Sequence, residues 1–261
     1  MTNREGHPVW YELMTNAPDA AEAFYQSVLG WEFIKTPPAP GADYRIFNTT
    51  EGQTVGGMMK APDGAPFGPT WAVYFGVRDV DAAAQQVENL GGHVHMPPQD
   101  IPDVGRFAFV ADPQGAMFYL MNGDSDANSA SFDQETLGHC SWNELVTTDQ
   151  SGALDFYKAL FGWEKSGAMP MDEGGDYTFV KNAGVDIGAM MALPKDGAHP
   201  YWNFAFNVAD IDKTHAAVTA GGGKVNHGPI ELPDGDDWLI QVTDPQGAKI
   251  MLAGKRVQAT K

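Results

Sequence analysis

Two tetrapeptides carry the residue types most able to do chemistry: Trp10-Tyr11-Glu12-Leu13 and Trp142-Asn143-Glu144-Leu145. In an extended strand, side chains two residues apart share a face, so Trp10 points with Glu12 and Trp142 with Glu144. Burial disfavours the charged form of a glutamate and raises its pKa. Such a group can serve as a general base near neutral pH. The same placement also fits a structural acid satisfied by hydrogen bonds, which is the commoner outcome for a buried carboxylate. Glu12 and Glu144 are therefore candidate catalytic residues, with that structural alternative beside them.

Other reactive types give less. His93 and His95 are two apart and share a face if their stretch is a strand, yet exposed loop histidines are common. His7 and His139 stand just before the two tetrapeptides, where a packing or capping role is commoner than metal ligation. Cys140 is the single cysteine, which excludes an intramolecular disulfide and a cysteine-rich zinc site. It adjoins His139, and neighbours on a strand point apart, so a Cys–His dyad is not expected. Gly221-Gly222-Gly223 follows a helical pattern, whereas a phosphate cradle precedes a helix.

The elements that must position these residues form a repeat. Shifting by about 132 residues superposes WYEL on WNEL, AFYQSVLGW (23–31) on DFYKALFGW (155–163), and VGGMM (55–59) on IGAMM (187–191). DPQGA recurs at 112–116 and 244–248. Within each half, strand-like and helix-like stretches alternate twice. Trp10 to Thr15 reads as a strand and 18–29 as a helix closed by Gly30. Tyr44 to Asn48 and Val55 to Met59 read as strands. Trp71 to Val77 starts the second round, followed by a helical face at Val80, Ala84 and Val87, then a hairpin turning on Asp112 to Gly115. The second half matches, with helices expected at 150–161 and 210–220. Four βαβββ modules result. The expected boundaries are a first domain at 1–122, a small polar linker at 123–137, a second domain at 138–255 and a tail at 256–261.

Composition narrows the partners. A formal charge of −18 repels nucleic acid and anionic lipid, so neither partner is expected. No stretch has the roughly 18 apolar residues of a membrane span, and residues 1–8 lack a secretory h-region, so the expected location is the cytoplasm.

The paired FY…LGW helices and DPQG hairpins resemble the vicinal oxygen chelate superfamily of glyoxalases, extradiol dioxygenases and bleomycin-resistance proteins. Tandem two-domain glyoxalase-like members are the nearest in organisation. The resemblance implies an α+β fold in which four βαβββ modules form two half-open β-cups with helices outside. It also places the family's metal-ligand positions. These fall on Trp10 and Trp142, on Ala72 and Asn203, and on Tyr119 and Met251, with the last in the strands around 55–59 and 187–191. A divalent transition metal needs three or four N, O or S donors. These positions do not supply them, so no metal or other cofactor is expected.

Trp10, Tyr119, Trp142, Asn203, Lys249 and Met251 are accordingly candidate ligand-binding residues. Lys249 lies two before Met251 and is a candidate partner for Glu144; Arg106 is one for Glu12. Tyr44 and Trp238 are further candidate pocket walls. The leading expectation is a metal-independent binding protein for an aromatic, polar or cationic small molecule, resembling bleomycin-resistance proteins. The alternative is a lyase or isomerase using a pocket glutamate or a metal at other positions. A third reading is an interaction protein with a vestigial pocket. The fused halves are expected to pack as a pseudo-dimer, with homodimerisation of the whole chain left open. The two pockets are expected to differ, since Lys249 and Asn203 replace Met117 and Ala72.

Overall fold

A computed structural model describes residues 3–35, 43–61, 68–171, 175–195, 197, 199–233 and 235–257. The first half contains β1 (Pro8–Thr15), α1 (Pro18–Leu29), β2 (Glu32–Lys35), β3 (Tyr44–Asn48) and β4 (Thr54–Lys60). It continues with β5 (Thr70–Gly76), α2 (Val80–Asn89), β6 (His93–Ile101), β7 (Gly105–Ala111) and β8 (Met117–Gly123). The second half repeats the order as β9 (Cys140–Thr147), α3 (Gln150–Phe161), β10 (Glu164–Pro170), β11 (Asp176–Asn182) and β12 (Val185–Ala192). It closes with β13 (Tyr201–Val208), α4 (Ile211–Ala220), β14 (Lys224–Glu231), β15 (Asp237–Thr243) and β16 (Lys249–Lys255).

The strands form two open, mixed eight-stranded sheets of the same order, β2-β3-β4-β1-β5-β8-β7-β6 and β10-β11-β12-β9-β13-β16-β15-β14. The expected α+β fold of tandem βαβββ modules is what the chain adopts. Local chemistry sets the helix ends. Asp149 accepts from the Gly152 amide and Asp210 from those of Asp212 and Lys213. Pro18 starts α1, and Gly30 closes it in the left-handed region at φ 71°.

The chain divides into two compact units, each assembled from both halves. The first is Met1–Trp10, Ala72–Ser129 and Trp142–Asn203; the second is Tyr11–Trp71, Ala130–Ser141 and Phe204–Lys261.

In the first unit, α2 packs on α3. Its core is a ring cluster of Phe75, Phe118, Tyr157, Phe161 and Trp163, with Tyr157 stacked on Trp163 at 5.0 Å. The Tyr157 hydroxyl donates to Asp112 Oδ2 at 3.2 Å, and Trp163 Nε1 donates to the Gly6 carbonyl at 3.1 Å. Asp112 Oδ1 also accepts the amides of Gln114 and Ala116. Ser129, in the expected linker, is tied down: its hydroxyl donates to the Val9 carbonyl at 2.6 Å.

In the second unit, α1 packs on α4. Trp31 stacks on Phe47 at 4.2 Å and meets Phe206 edge-on at 5.1 Å. Tyr25 donates to Asp244 Oδ2 at 2.9 Å, and Trp31 Nε1 to the Gly138 carbonyl at 2.9 Å. The FY helix of one half thus meets the DPQG turn of the other, inside each unit. Arg45 on β3, only 2% exposed, is held by Asp43, by Glu22 at 2.6 Å and by Asp19 at 2.6 Å. These contacts fasten β3 to α1.

Candidate functional site

In the first unit, Glu144 is 7% exposed on β9. Its Oε2 accepts the Tyr177 hydroxyl at 3.0 Å. Tyr177 Oη in turn accepts the Trp142 indole N–H at 2.9 Å. Asn203, on β13, gives Glu144 a second side-chain hydrogen bond. Burial pushes the Glu144 carboxyl above its ordinary value, and the bonds from Tyr177 and Asn203 offset this only in part. Burial, with the Glu144 charge nearby, pushes the Tyr177 hydroxyl well up. Tyr201 is 38% exposed, and its hydroxyl is raised by burial and then by the Glu144 charge. Trp142, Tyr177 and Phe179 contact one another edge-to-face or by hydrogen bond. The result is a buried acid among half-buried aromatic rings.

The second unit holds the counterpart. Glu12, 4% exposed on β1, accepts the Tyr44 hydroxyl at 3.0 Å through Oε2. Register proves the equivalence, since Arg45 lies opposite Met58 and Thr178 opposite Met190. Tyr44 and Tyr177 precede these residues. A Cβ at Gly57 would collide with the Tyr44 hydroxyl, so glycine there makes room for the ring. The second half has Ala189 in its place.

Of the sequence candidates, Asn203 meets Glu144 directly and Trp142 joins it through Tyr177. Glu12 pairs with Tyr44, which the sequence offered only as a pocket wall. Trp10 is half-buried on β1. Tyr119 is buried on β8 and stacks on Tyr74 at 4.2 Å and on Phe109 at 4.6 Å. Met251 is buried on β16, opposite Gln241 and Ala205. Lys249 is exposed at the start of β16, opposite Thr243. Glu144 takes its hydrogen bonds from Tyr177 and Asn203, the role offered to Lys249 by the sequence.

One expectation is corrected. Arg106 is committed to Asp81 at 2.7 Å and Asp100 at 2.8 Å, because its strand face turns toward these acids. Trp238 is half-buried on β15, with the Arg256 guanidinium 4.1 Å from its ring centroid. Sequence reasoning missed Tyr177 and Tyr201. The repeat could have exposed Tyr177 as the match of Tyr44, but no pattern in the sequence ties it to Glu144.

His139 is structural, with Nδ1 at the Ala130 carbonyl and Nε2 at 2.8 Å from Gln53 Oε1. At the positions where the resemblance would put metal ligands stand Trp10, Trp142, Ala72, Asn203, Tyr119 and Met251, a donor set that does not fit a divalent transition metal. Among the described residues no three His, Cys, Asp or Glu side chains cluster as a metal site. The second unit also has a shallow cleft of about 310 Å³ beside Leu29, Thr49, Leu137 and Lys213, which neither glutamate lines.

Residues 7–120 and 136–252 each match the sequence family described as the Glyoxalase/Bleomycin resistance protein/Dioxygenase superfamily. The chain is 36% identical over 247 residues to "Putative glyoxylase CFP32" of Mycobacterium tuberculosis, covering 94% of this chain and 93% of that protein. It is 31% identical over 262 residues to the anthracycline biosynthesis protein DnrV of Streptomyces peucetius, covering 93% and 91%. A variant of homoprotocatechuate 2,3-dioxygenase from B. fuscum, in complex with HPCA, superposes with a TM-score of 0.69 at 17% identity. That match covers 97% of this chain and 72% of the dioxygenase, and at such identity the likeness is one of fold.

Proposed function

The chain belongs to the Glyoxalase/Bleomycin resistance protein/Dioxygenase superfamily, and from that premise we propose that it binds a small organic cation without a metal, using Glu144 as anchor. One observation carries this reading: a carboxylate destabilised by burial stands beside Trp142, Tyr177 and Tyr201. Desolvation makes such a carboxylate a poor anion when empty. An ammonium group restores the lost charge balance, and electron-rich ring faces add to the attraction. Tyr177 and Asn203 fix the carboxyl orientation. The net charge of −18 favours approach of a cation. The relatives' names and the HPCA in the dioxygenase neighbour support a small organic molecule rather than a macromolecule.

A second reading makes the protein a lyase or isomerase with Glu144 as general base. The raised proton affinity of Glu144 favours it, because a carboxyl pushed above its ordinary value by burial takes a proton more readily. In that role Tyr177 and Asn203 position the carboxyl group, and Trp142 positions Tyr177.

The test is calorimetric titration of chelator-treated protein with benzyltrimethylammonium, in the parent and in Glu144→Gln. The binding reading expects saturable binding that tightens as pH rises through the Glu144 pKa and weakens at least about tenfold in the variant. Equal binding in parent and variant would remove Glu144 from the account.

A further inference from the structure

The cleft of about 310 Å³ in the second unit lies between the last turn of α1 and the first turn of α4. Val28, Leu29, Val208 and Leu137 give it apolar walls. Leu137 is 53% exposed, so a large apolar side chain stands open at its mouth. Two charged groups also line it, Lys213 and Asp210, and they pair with each other at 3.0 Å. Thr214 lines it too and is only 7% exposed. Its hydroxyl makes no hydrogen bond among the described residues, yet it is not sealed from solvent. Thr219, further along α4, instead gives its hydroxyl to the His215 carbonyl at 3.1 Å. Buried polar groups as a rule have partners, so Thr214 leaves a hydrogen bond to be made by whatever enters the cleft.

The fold does not require this arrangement, as the repeat shows. Gly138 and Gly6 are equivalent, since each gives its carbonyl to an indole N–H, that of Trp31 and that of Trp163. Leu137 therefore matches Glu5. The Thr214 amide donates to the Asp210 carbonyl as the Ala83 amide donates to that of Asp79. Thr214 therefore matches Ala83, and Ala209 matches Arg78. In the first unit Glu5 accepts the Arg78 amide at 3.3 Å and lies 3.7 Å from its guanidinium. Two charged side chains meet there, where the second unit has leucine and alanine. The second unit also adds one hydroxyl where the first has only a methyl group.

We propose that this cleft binds a small neutral molecule with a compact hydrocarbon body and one hydroxyl group. A cavity of about 150 Å³ holds benzene, so this cleft has room for a larger, bicyclic body. The apolar walls gain by being covered, Leu137 most of all. The Thr214 hydroxyl both donates and accepts, which suits a hydroxyl on the ligand. Neutrality follows from the Asp210–Lys213 pair. A charged ligand attracted by one of these groups is repelled by the other, and the net charge of −18 disfavours an anion further. Neither glutamate lines the cleft, so this site stands independently of the Glu144 reading.

The experiment titrates the full chain, labelled with carbon-13 at its leucine methyl groups, with the bicyclic alcohol borneol and follows the methyl resonances. Leu29 and Leu137 report on the cleft, and the buried Leu145 and Leu252 report on the sheet cores. The variants are Thr214→Ala, and Leu137→Glu with Ala209→Arg. Each installs what the first unit already has at the matching positions, so both keep their fold, checked by circular dichroism. The expected result is a saturable shift at Leu29 and Leu137 with Leu145 and Leu252 unmoved. Loss of the hydrogen bond in Thr214→Ala weakens binding about fivefold. The charged pair in the double variant abolishes the Leu29 response. No saturable shift at Leu29 and Leu137 in the parent overturns the proposal. So do shifts confined to other leucines, or undiminished affinity in either folded variant.

Discussion

The Tyr25 hydroxyl donates to Asp244 Oδ2 at 2.9 Å across 219 residues of chain, and its repeat equivalent Tyr157 does the same to Asp112 at 3.2 Å. Each tyrosine belongs to an FY helix and each aspartate to a DPQG turn of the opposite half. Asp244 Oδ1 already collects the amides of Gln246, Gly247 and Ala248, so the tyrosine satisfies the other oxygen. Tyr25→Phe leaves that buried oxygen without its donor and is expected to cost about 1–3 kcal/mol in urea unfolding. Asp244→Ala also breaks the turn and is expected to cost more. A Tyr25→Phe protein as stable as the parent would make the bond dispensable.

Stability should respond to pH through Glu144 with a defined sign. Its folded pKa is raised above the ordinary 4.5 by burial. The folded state therefore holds the proton more tightly than the unfolded chain. This contribution is fully present below about pH 4.5 and is lost as pH rises through the folded value. Glu144→Gln removes that slope and is expected to be less sensitive to pH across the window above 4.5. Unfolding midpoints of parent and variant over a pH series check this. Parallel curves would contradict it.

The Arg45 cluster should act with the opposite sign. Hydrogen bonds from Arg45 hold the Asp19 and Asp43 carboxyls below their ordinary 3.8. Their contribution is present above that value and fades as pH falls through the depressed folded pKa. Arg45→Met is therefore expected to destabilise the protein at neutral pH and to flatten its acid unfolding below pH 3.8. Unchanged acid unfolding in the variant would rule the cluster out as its source.

Gly57→Ala tests whether backbone space sets the Tyr44–Glu12 bond. The added Cβ meets the hydroxyl end of Tyr44, so the ring must shift from the position in which it holds Glu12. The expected outcome is a loss of about 1–3 kcal/mol, with Tyr44 displaced in a crystal structure of the variant. Ala189→Gly, the reverse change in the other half, is expected to cost only backbone entropy, about 1 kcal/mol. A Tyr44 that keeps its bond to Glu12 in the Gly57→Ala protein would refute the argument.

The fold was legible because its signals are local. Gly30 ends a helix whatever surrounds it, and the Asp112 to Gly115 turn depends on its own side chain and amides. The repeat then ordered the elements. Strand parity correctly joined Trp142 to Glu144. What remained hidden lies in partners far apart in sequence. Nothing near Tyr25 names Asp244, and nothing near Glu144 names Tyr177. Arg106 was misassigned because its acids, Asp81 and Asp100, sit on another helix and strand.

The central claim is that Glu144 anchors a ligand without a metal. Its most direct test is the benzyltrimethylammonium affinity of one preparation, measured before and after exhaustive chelation, with bound metal quantified by mass spectrometry. The account predicts the same affinity in both states and less than about one transition metal per ten chains before chelation. About one tightly bound metal per sheet, with binding lost on its removal and restored on its return, would contradict it.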